Sequence, residues 1–448
     1  MGLSVRAQSR PPNIILIYAD DLGYGDLSCY GSNISTPNLD RMAQDGTRFT
    51  HFYSASSVCS PARAALLTGR YSNRFDIPRV MGPEDTTGLP GSETTIAHML
   101  KSAGYSTMCV GKWHLGAGPG FLPTRRGFDE YYGIPYSHDM WPRPLIHNGE
   151  VLERPARLDN LTQRYTQVAL EFIGRSRNSP FFLYMPHAAP HIPLAASPGF
   201  VGKSMQGVYG DMVQEMDWSV GRILETLKEN GLDSNTLVMF SSDNGPWYQG
   251  SPGRLRGRKG DSYEGGFRVP FIARFPGSIP PGQVTQSMAT TMDILPTVAR
   301  LSGAALPQNP VDGVDIWPLL ASEQGEVSRE VFLYFNDVYL QAARLGPWKL
   351  HTARYNVPMF TPVEPQRGRR NLPLPRPELY NVVSDPGEAY DRAERNPAVM
   401  AEIQAAMDRV IRTFPAGIVH AYEETMKRQV EDTPADALPV EKVPSLTP

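Results

Sequence analysis

The sequence predicts an α/β fold, with a mainly parallel β-sheet sandwiched between helices and a smaller α+β domain after it. Short apolar runs rich in β-branched residues alternate with amphipathic stretches of helical length, which is the pattern of repeated βαβ units. The 448 residues are 41% hydrophobic and 20% charged. This is enough apolar material for a large core and too little charge for a mainly disordered chain.

The predicted elements alternate through the larger part of the chain. Strands are expected at Asn13–Ala19, Tyr105–Val110, Phe181–Met185, Thr236–Ser242 and Val269–Phe275. Helices are expected at Thr36–Gln44, Ser60–Thr68, Thr94–Ala103, Leu161–Arg175, Gly207–Asn230 and Met292–Leu301. Thr36 and Ser60 are expected to cap their helices, because each precedes a proline suited to the first helical position.

A smaller domain is predicted at residues 326–448, after a larger α/β domain at residues 11–325. Proline and arginine become dense at Pro358–Pro377. Two strand-like runs, Val331–Phe335 and Leu340–Leu345, come before this segment, and a helix is expected after it at Pro397–Thr413. The last stretch, Val430–Pro448, is proline-rich and polar, which favours an extended tail.

Charge and composition exclude several classes of protein. A formal net charge of −3 argues against a dedicated nucleic-acid binder. The longest apolar runs, such as Phe181–Met185, fall far short of the ~18 residues that a membrane span needs. Three cysteines cannot form a disulfide framework; Cys29 and Cys109 could pair, but the apolar run around Cys109 favours a buried free thiol. Cysteine usage leaves the compartment open. Residues 1–10 show no apolar signal-peptide core.

Polar residues follow four of the predicted strands at the point where each strand ends. They are Asp20 and Asp21, Lys112 and His114, His187 and His191, and Asp243 and Asn244. Ligands of open α/β sheets bind beyond the carboxyl ends of the strands. The convergence of four such ends therefore predicts a functional site.

The two acidic pairs predict a metal site at this edge. Asp20, Asp21, Asp243 and Asn244 offer only oxygen ligands, which favours calcium or magnesium over zinc. Either pair alone could simply cap a turn. Two pairs at two strand ends make the metal site the stronger interpretation.

Several basic residues are candidates for proton transfer or anion binding. Lys112 and His114 lie two apart in an extended segment and are expected to point to the same side, although a surface lysine beside a structural histidine is the alternative. His191 lies between prolines that fix its direction, and His187 is expected in the pocket wall. Lys259 is predicted on a flexible loop that approaches an anion, the alternative being a solvated surface lysine.

The most specific motif begins at Cys59. It is Cys59-Ser60-Pro61-Ala62-Arg63, continued by Leu67-Thr68-Gly69-Arg70. Cys59 is expected just before a helix N-terminus, where free N–H groups and the helix dipole favour an anion, and Arg63 in the first turn. From the residues alone, this predicts a thiolate nucleophile of low pKa.

The motif resembles the signature of type I sulfatases, whose cysteine is oxidised to Cα-formylglycine (3-oxoalanine). The resemblance covers most of the chain and includes Ala19–Asp26, Gly111–Gly116, Ser242–Gly245, Gly257–Gly260, Tyr263–Gly266, Leu379–Asn381 and Asp385–Glu388. The segment Gly133–Asp139 resembles the branch of arylsulfatase A and N-acetylgalactosamine-6-sulfatase.

This resemblance implies an alkaline-phosphatase-like fold and a calcium ion bound by Asp20, Asp21, residue 59, Asp243 and Asn244. It implies catalytic roles for Cys59, Arg63, Lys112, His114, His191 and Lys259. Contacts with the substrate are expected from Ser137, His138, His187 and Trp247, although Trp247 could equally pack loops. The implied partners are a sulfate ester and a formylglycine-generating maturase, with no nucleic acid and no membrane span, and the implied location is periplasmic or secreted.

The expected reaction is hydrolysis of an aryl or carbohydrate sulfate monoester. A hydroxyl of the aldehyde hydrate would attack sulfur, His191 with Lys259 would protonate the leaving oxygen, and His114 would act as the base for sulfate release. One alternative is a phosphonate or phosphate ester hydrolase of the alkaline-phosphatase superfamily. Another is a non-catalytic protein that binds sulfated glycans. The natural substrate and the oligomeric state stay open.

Overall fold

The computed structural model describes residues 10–356 and 370–427. In this part of the chain, eleven strands form a large sheet: β1 Asn13–Ala19, β2 Thr47–Tyr53, β3 Ser106–Lys112, β4 Glu130–Ile134, β5 Leu145–His147, β6 Glu150–Glu153, β7 Phe181–Pro186, β8 Thr236–Ser242, β9 Arg268–Arg274, β10 Gln283–Thr285 and β11 Ala289–Thr290. Four further strands form a separate antiparallel sheet: β12 Phe332–Asn336, β13 Tyr339–Leu345, β14 Trp348–Tyr355 and β15 Asn371–Asn381.

The described residues also form α-helices. They are α1 Pro37–Gln44, α2 Cys59–Thr68, α3 Ile96–Ser102, α4 Leu161–Arg175, α5 Gly207–Glu229, α6 Glu264–Phe267, α7 Ile294–Ser302, α8 Trp317–Ala321, α9 Pro397–Ile411 and α10 Ala416–Lys427. Within the described ranges, no helix carries an apolar stretch long enough to cross a bilayer.

The large sheet has the order β10-β2-β9-β8-β1-β7-β3-β4-β5-β6, with β11 beside β2. Its centre, β8-β1-β7-β3-β4, is parallel throughout, whereas β9 runs antiparallel to β8 and to β2. The prediction of a mainly parallel sheet is therefore confirmed, although β9 does not share the common direction. Because β8, β1, β7 and β3 are neighbours and parallel, their carboxyl ends meet at one edge.

Strand β1 shows why these strands read as unbroken apolar runs. Ile14 and Leu16 pack into the apolar cluster on one face of the sheet, and Ile15 and Ile17 pack into the cluster on the other face. All four are fully buried. A strand covered by helices on both faces needs apolar side chains at every position rather than at alternate ones.

The beginnings of two helices differ from the expectation. α2 starts at Cys59, so Ser60 lies inside the helix, and its hydroxyl accepts a hydrogen bond from the N–H of Met81 (3.0 Å) instead of capping. Thr36 occupies the N-cap position of α1, but its side chain bonds to Ser28 and makes no cap hydrogen bond. In both cases a residue outside the helix competes successfully for the hydroxyl.

The proline-rich segment is only partly described. Residues 371–377 belong to β15, where prolines are tolerated because β15 is an edge strand of its sheet. Residues 357–369 and the expected tail at 430–448 lie outside the described residues. Cys29 and Cys109 are both unpaired, and Cys109 is buried, as the apolar run around it predicted.

Candidate active site

Cys59 lies at the centre of the converging strand ends. Its Sγ atom is 3.7 Å from Asp20 Oδ1, 4.0 Å from Asp21 Oδ1 and 3.3 Å from Lys259 Nζ. The thiol is almost completely buried, and burial raises its pKa. The interpretation of Cys59 as a low-pKa thiolate is therefore wrong, because burial and the nearby carboxylates outweigh the nearby ammonium groups.

Arg63 lies one helical turn after Cys59 on α2 and is fully buried. Its guanidinium donates two hydrogen bonds to Asp243 Oδ2 (3.1 and 2.7 Å) and one to the carbonyl oxygen of Lys112 (3.0 Å). It also lies 3.3 Å from Asp20 Oδ1. Arg63 thus links the ends of β1, β3 and β8 through charge-assisted hydrogen bonds.

Lys112 lies at the end of β3 and is fully buried. Its Nζ donates to Asp20 Oδ2 (2.6 Å) and to the hydroxyl of Ser137 (3.1 Å). Burial raises the pKa of Asp20, but the charges of Lys112 and Arg63 hold it well below its usual value. The carboxylate of Asp20 is therefore ionised, which a metal ligand requires.

His114 is held in one tautomer by the backbone. Its Nε2 lies 2.8 Å from the carbonyl oxygen of Met81, and because a carbonyl can only accept, Nε2 carries the proton. Nδ1 is buried and has no hydrogen-bond partner among the described residues. Burial and the charge of Lys112 lower the pKa of His114 well below its usual value. The ring is thus a neutral imidazole with an unused lone pair, as a general base must be.

Lys259 and His191 form a pair beside Cys59. Nζ of Lys259 donates to Asp21 Oδ2 (2.8 Å) and lies 3.2 Å from Nε2 of His191. Burial alone would lower the pKa of Lys259, but the carboxylate of Asp21 holds it well above its usual value. Burial and the charge of Lys259 lower the pKa of His191 well below its usual value. Lys259 is therefore the charged member of the pair and His191 the neutral one.

The loop of Lys259 is fixed rather than flexible, contrary to the expectation. Its side chain is buried, its N–H donates to the carbonyl of Pro246 (3.1 Å), and the N–H of Gly260 donates to the carbonyl of Ser57 (3.0 Å). A Cβ atom at Gly245 would lie 1.8 Å from the carbonyl oxygen of Gly265, so only glycine allows this approach. The solvated-lysine alternative is also wrong.

The other two candidate histidines, His138 and His187, differ in their contacts with the residues around Cys59. The ring of His138 packs edge-on against His191, with centroids 5.4 Å apart, and its Nε2 lies 3.1 Å from the His191 carbonyl oxygen. His187 is buried, neither ring nitrogen has a hydrogen-bond partner among the described residues, and burial lowers its pKa to about 4. His138 thus supports His191, while His187 is a buried, neutral ring, and its place in the pocket wall stays a prediction.

The donor set fits a hard divalent cation. Ligand atoms of Asp20, Asp21, Cys59 and His191 all lie within 4.8 Å of one another. The amide oxygen of Asn244 is buried without a hydrogen-bond partner among the described residues, while its Nδ2 donates to Asp21 Oδ1 (2.7 Å). A buried, unpaired oxygen beside carboxylates is what an ion of this kind would satisfy. Of the predicted ligand residues, Asp20, Asp21 and Cys59 belong to this group, whereas Asp243 adjoins it through a hydrogen bond from the Asp21 N–H to its Oδ1 (3.1 Å). The binding of calcium stays a prediction.

Comparison with known proteins agrees with this geometry. The profile of the Sulfatase family matches residues 12–304, and that of the C-terminal region of aryl-sulfatase matches residues 327–434. The chain is 40% identical to arylsulfatase A of Homo sapiens over 434 residues, which is 87% of this chain and 84% of that protein. It is 41% identical to N-acetylgalactosamine-6-sulfatase of Rattus norvegicus over 385 residues, or 78% of this chain and 73% of that protein.

The chain belongs to the sulfatase family. It is a sulfuric ester hydrolase with the family's two-part architecture. A solved structure concerned with the metabolism of multiple glycosaminoglycans by Bacteroides thetaiotaomicron matches this sulfatase with a TM-score of 0.81 and 30% identity, over 90% of this chain and 99% of that one. The expected α/β fold and the expected family are both confirmed.

Two features of the sulfatase site could not be predicted from the sequence. Asp21 and His114 have positive φ angles of 63° and 61°, which residues other than glycine rarely adopt. This backbone conformation directs both side chains into the site. The Met81 carbonyl, which fixes the tautomer of His114, lies in a loop without any recognisable motif. Trp247, half-buried and edge-on to Tyr248 at 4.9 Å, stays a predicted substrate contact.

Asp26 holds together two loops of the sulfatase site, and no motif assigned it that role. Its Oδ2 accepts from the Tyr209 hydroxyl (2.5 Å) and the Gly23 N–H (2.8 Å), and its Oδ1 accepts from the Ser251 N–H (2.9 Å). It thus ties the segment after Asp21 to the loop after Trp247. Burial raises the pKa of Asp26 to about 6.

We expect Asp26→Asn to lower the free energy of unfolding, and by less at pH 7 than at pH 4. An acid whose pKa is raised in the folded state stabilises the folded protein at pH values below its unfolded pKa. This stabilisation is lost as the pH rises through the folded-state pKa of about 6. Asparagine does not titrate. The difference in the free energy of unfolding between the wild type and the variant should therefore be smaller at pH 7 than at pH 4, by on the order of 2–3 kcal/mol. Urea unfolding at both pH values measures it, and a gap that stays constant would contradict the assignment.

Proposed function

We propose that this sulfatase hydrolyses sulfate monoesters of phenols or sugars, using formylglycine made from Cys59 and a calcium ion bound beside it. The observation that carries the proposal is the position of Cys59, in contact with Asp20, Asp21 and Lys259 at the N-terminus of α2. A buried thiol of raised pKa is a poor nucleophile. The same position suits an aldehyde hydrate, which supplies an attacking hydroxyl and a second hydroxyl for release of the product.

The proposed calcium ligands are Asp20, Asp21, residue 59, Asp243 and Asn244. When bound, the ion would supply positive charge beside the nucleophile and the sulfate group. Three carboxylates, of Asp20, Asp21 and Asp243, face three cations, of Arg63, Lys112 and Lys259, so the protein groups of the site are formally neutral. A divalent ion therefore makes the site positive as a whole, which favours an anionic ester.

Arg63 and Lys112 are proposed to hold the non-bridging oxygens of the sulfate group. Both are fully buried, both already face Asp20, and neither contacts bulk water. Fixed charges in a dry site stabilise developing negative charge better than mobile ones, because they need no reorganisation. Ser137, bonded to Lys112 at 3.1 Å, is proposed to complete this subsite.

The proton for the leaving oxygen is proposed to come from Lys259, with His191 as its neighbour in the relay. This refines the expectation that His191 is the donor, because its Nδ1 faces the carbonyl oxygen of Ile192 and its Nε2 lies 3.2 Å from Nζ of Lys259, so the ring is placed to accept a proton from Lys259. His114 has a free Nδ1 lone pair and is proposed as the base for sulfate release. The two proton-transfer groups thus come from different loops, those that follow β8 and β3.

The nature of the leaving group is proposed from the relatives. Arylsulfatase A and N-acetylgalactosamine-6-sulfatase name an aryl and a sugar sulfate, so both classes are proposed here. His138, His187 and Trp247 are proposed at the substrate side of the pocket. We also propose a periplasmic or secreted location and a maturase partner for Cys59, and fractionation of cells that express the full-length gene tests the location.

Paired substrates test the proposal. Protein coexpressed with a formylglycine-generating maturase is expected to hydrolyse nitrophenyl sulfate faster than nitrophenyl phosphate, and its tryptic peptide Phe49–Arg63 is expected to be lighter than the unmodified one. Faster phosphate cleavage would favour the phosphate ester hydrolase instead. Modified protein that binds sulfated glycans but cleaves no sulfate ester would support the binding-protein alternative.

A further inference from the structure

The loop that carries Lys259 is held from two sides. On the side of the large sheet, the N–H groups of Lys259 and Gly260 donate to carbonyls of Pro246 and Ser57. On the other side, Nδ2 of Asn336 donates to the carbonyl oxygen of Gly260 at 2.6 Å. Asn336 ends β12, the first strand of the small sheet. The second sheet therefore reaches the residue directly after Lys259.

The buried side chain of Asn336 uses its amide nitrogen for this contact. Its side chain is 4% exposed, and its Oδ1 has no hydrogen-bond partner among the described residues. An unpaired buried amide oxygen is unfavourable, so a purely structural position would favour an apolar side chain. The functional group of this side chain is therefore its Nδ2, which donates to the carbonyl oxygen of Gly260.

The precision demanded of Lys259 explains such a contact. Its Nζ lies 3.3 Å from Cys59 Sγ, 2.8 Å from Asp21 Oδ2 and 3.2 Å from His191 Nε2. These three contacts come from three separate elements, and a displacement of about 1 Å can cost about 100-fold in rate. The backbone of Lys259 must therefore be fixed on both sides.

We propose that Asn336 is a positioning residue that fixes Lys259 for proton transfer to the leaving oxygen. The inference rests on the proposed function, since it assigns Lys259 that proton. It makes the small sheet a functional part of the active site, because a side chain from β12 controls a group that contacts the nucleophile. Loss of Asn336 should then weaken leaving-group assistance rather than substrate binding.

The test compares Asn336→Ala with Asn73→Ala on aryl sulfates whose phenols differ in acidity. Asn73 is the control, because its Nδ2 also donates to a backbone carbonyl across the interface, that of Asp337 at 2.8 Å, whereas Asn336 donates to the loop of Lys259. Asn336→Ala is expected to lower kcat about 10- to 100-fold with little change in KM, and the loss should grow as the phenol becomes less acidic. Asn73→Ala is expected to keep the wild-type leaving-group dependence.

A second variant covers failure of the alanine protein to fold. Asn336→Asp keeps the shape but, when ionised, lacks the donor, and it should show the same leaving-group signature. Equal losses in Asn336→Ala and Asn73→Ala, or a loss in the Asn336 variants that is the same for every phenol, would overturn the proposal. Wild-type protein with converted Cys59 but no activity on any aryl sulfate would overturn the proposed function first, and this inference with it.

Discussion

Cys59→Ser is expected to lower kcat for nitrophenyl sulfate by at least about 10⁴-fold while the protein stays folded. A serine hydroxyl at this position keeps the contacts with Asp20 and Lys259 but cannot become an aldehyde hydrate. It could accept a sulfo group once, yet it has no second hydroxyl on the same carbon to expel sulfate. Steady-state kinetics with nitrophenyl sulfate, together with thermal unfolding, measures both expectations.

Cys29→Ser is the matched control for this experiment. Cys29 is also a free thiol, but it lies outside the site, and its N–H donates to Asp40. Its variant should keep wild-type kcat and the lighter peptide Phe49–Arg63. A Cys59→Ser protein with more than a few per cent of wild-type turnover would show that residue 59 does not supply the nucleophile.

Much of the site could be predicted because buried parallel strands are easy to recognise. β1 and β8 begin and end where the sequence placed them, since each contains an unbroken apolar run bounded by polar residues. The acids after these strands then had to be neighbours, because the sheet orders β8 and β1 side by side. Local patterns thus predicted the central strands and the edge at which they end, although not the direction of β9.

The parts that could not be predicted depend on contacts between distant segments. Lys259 lies in a glycine- and arginine-rich loop that is typical of a solvated surface, and its burial follows from Asp21 and from Asn336 in the other sheet. Asp26 joins Tyr209 and Ser251, which no motif connects. Strand β15 was hidden by its prolines, which only an edge position permits.

Removal of divalent cations is expected to abolish turnover and lower the melting temperature, and calcium should restore both. The carboxylates of Asp20 and Asp21 and the unpaired amide oxygen of Asn244 are buried together, and the ion would satisfy all three. Binding to the folded state alone stabilises it by about 2.7 kcal/mol when free calcium is 100 times the Kd. Melting curves and nitrophenyl sulfate assays after chelation, with and without added calcium, measure the effect.

Asn244→Ala makes this test specific to the proposed ligands. Loss of one neutral oxygen ligand should shift the calcium titration of the melting temperature to about 10- to 100-fold higher concentration, while excess calcium still restores stability. Chelator already saturated with calcium controls for effects of the chelator itself. Magnesium should restore less than calcium, because it demands near-octahedral geometry and gives up water reluctantly. Full activity in protein shown by elemental analysis to hold no divalent metal would refute the metal site, since the buried carboxylates would then act with Arg63, Lys112 and Lys259 alone.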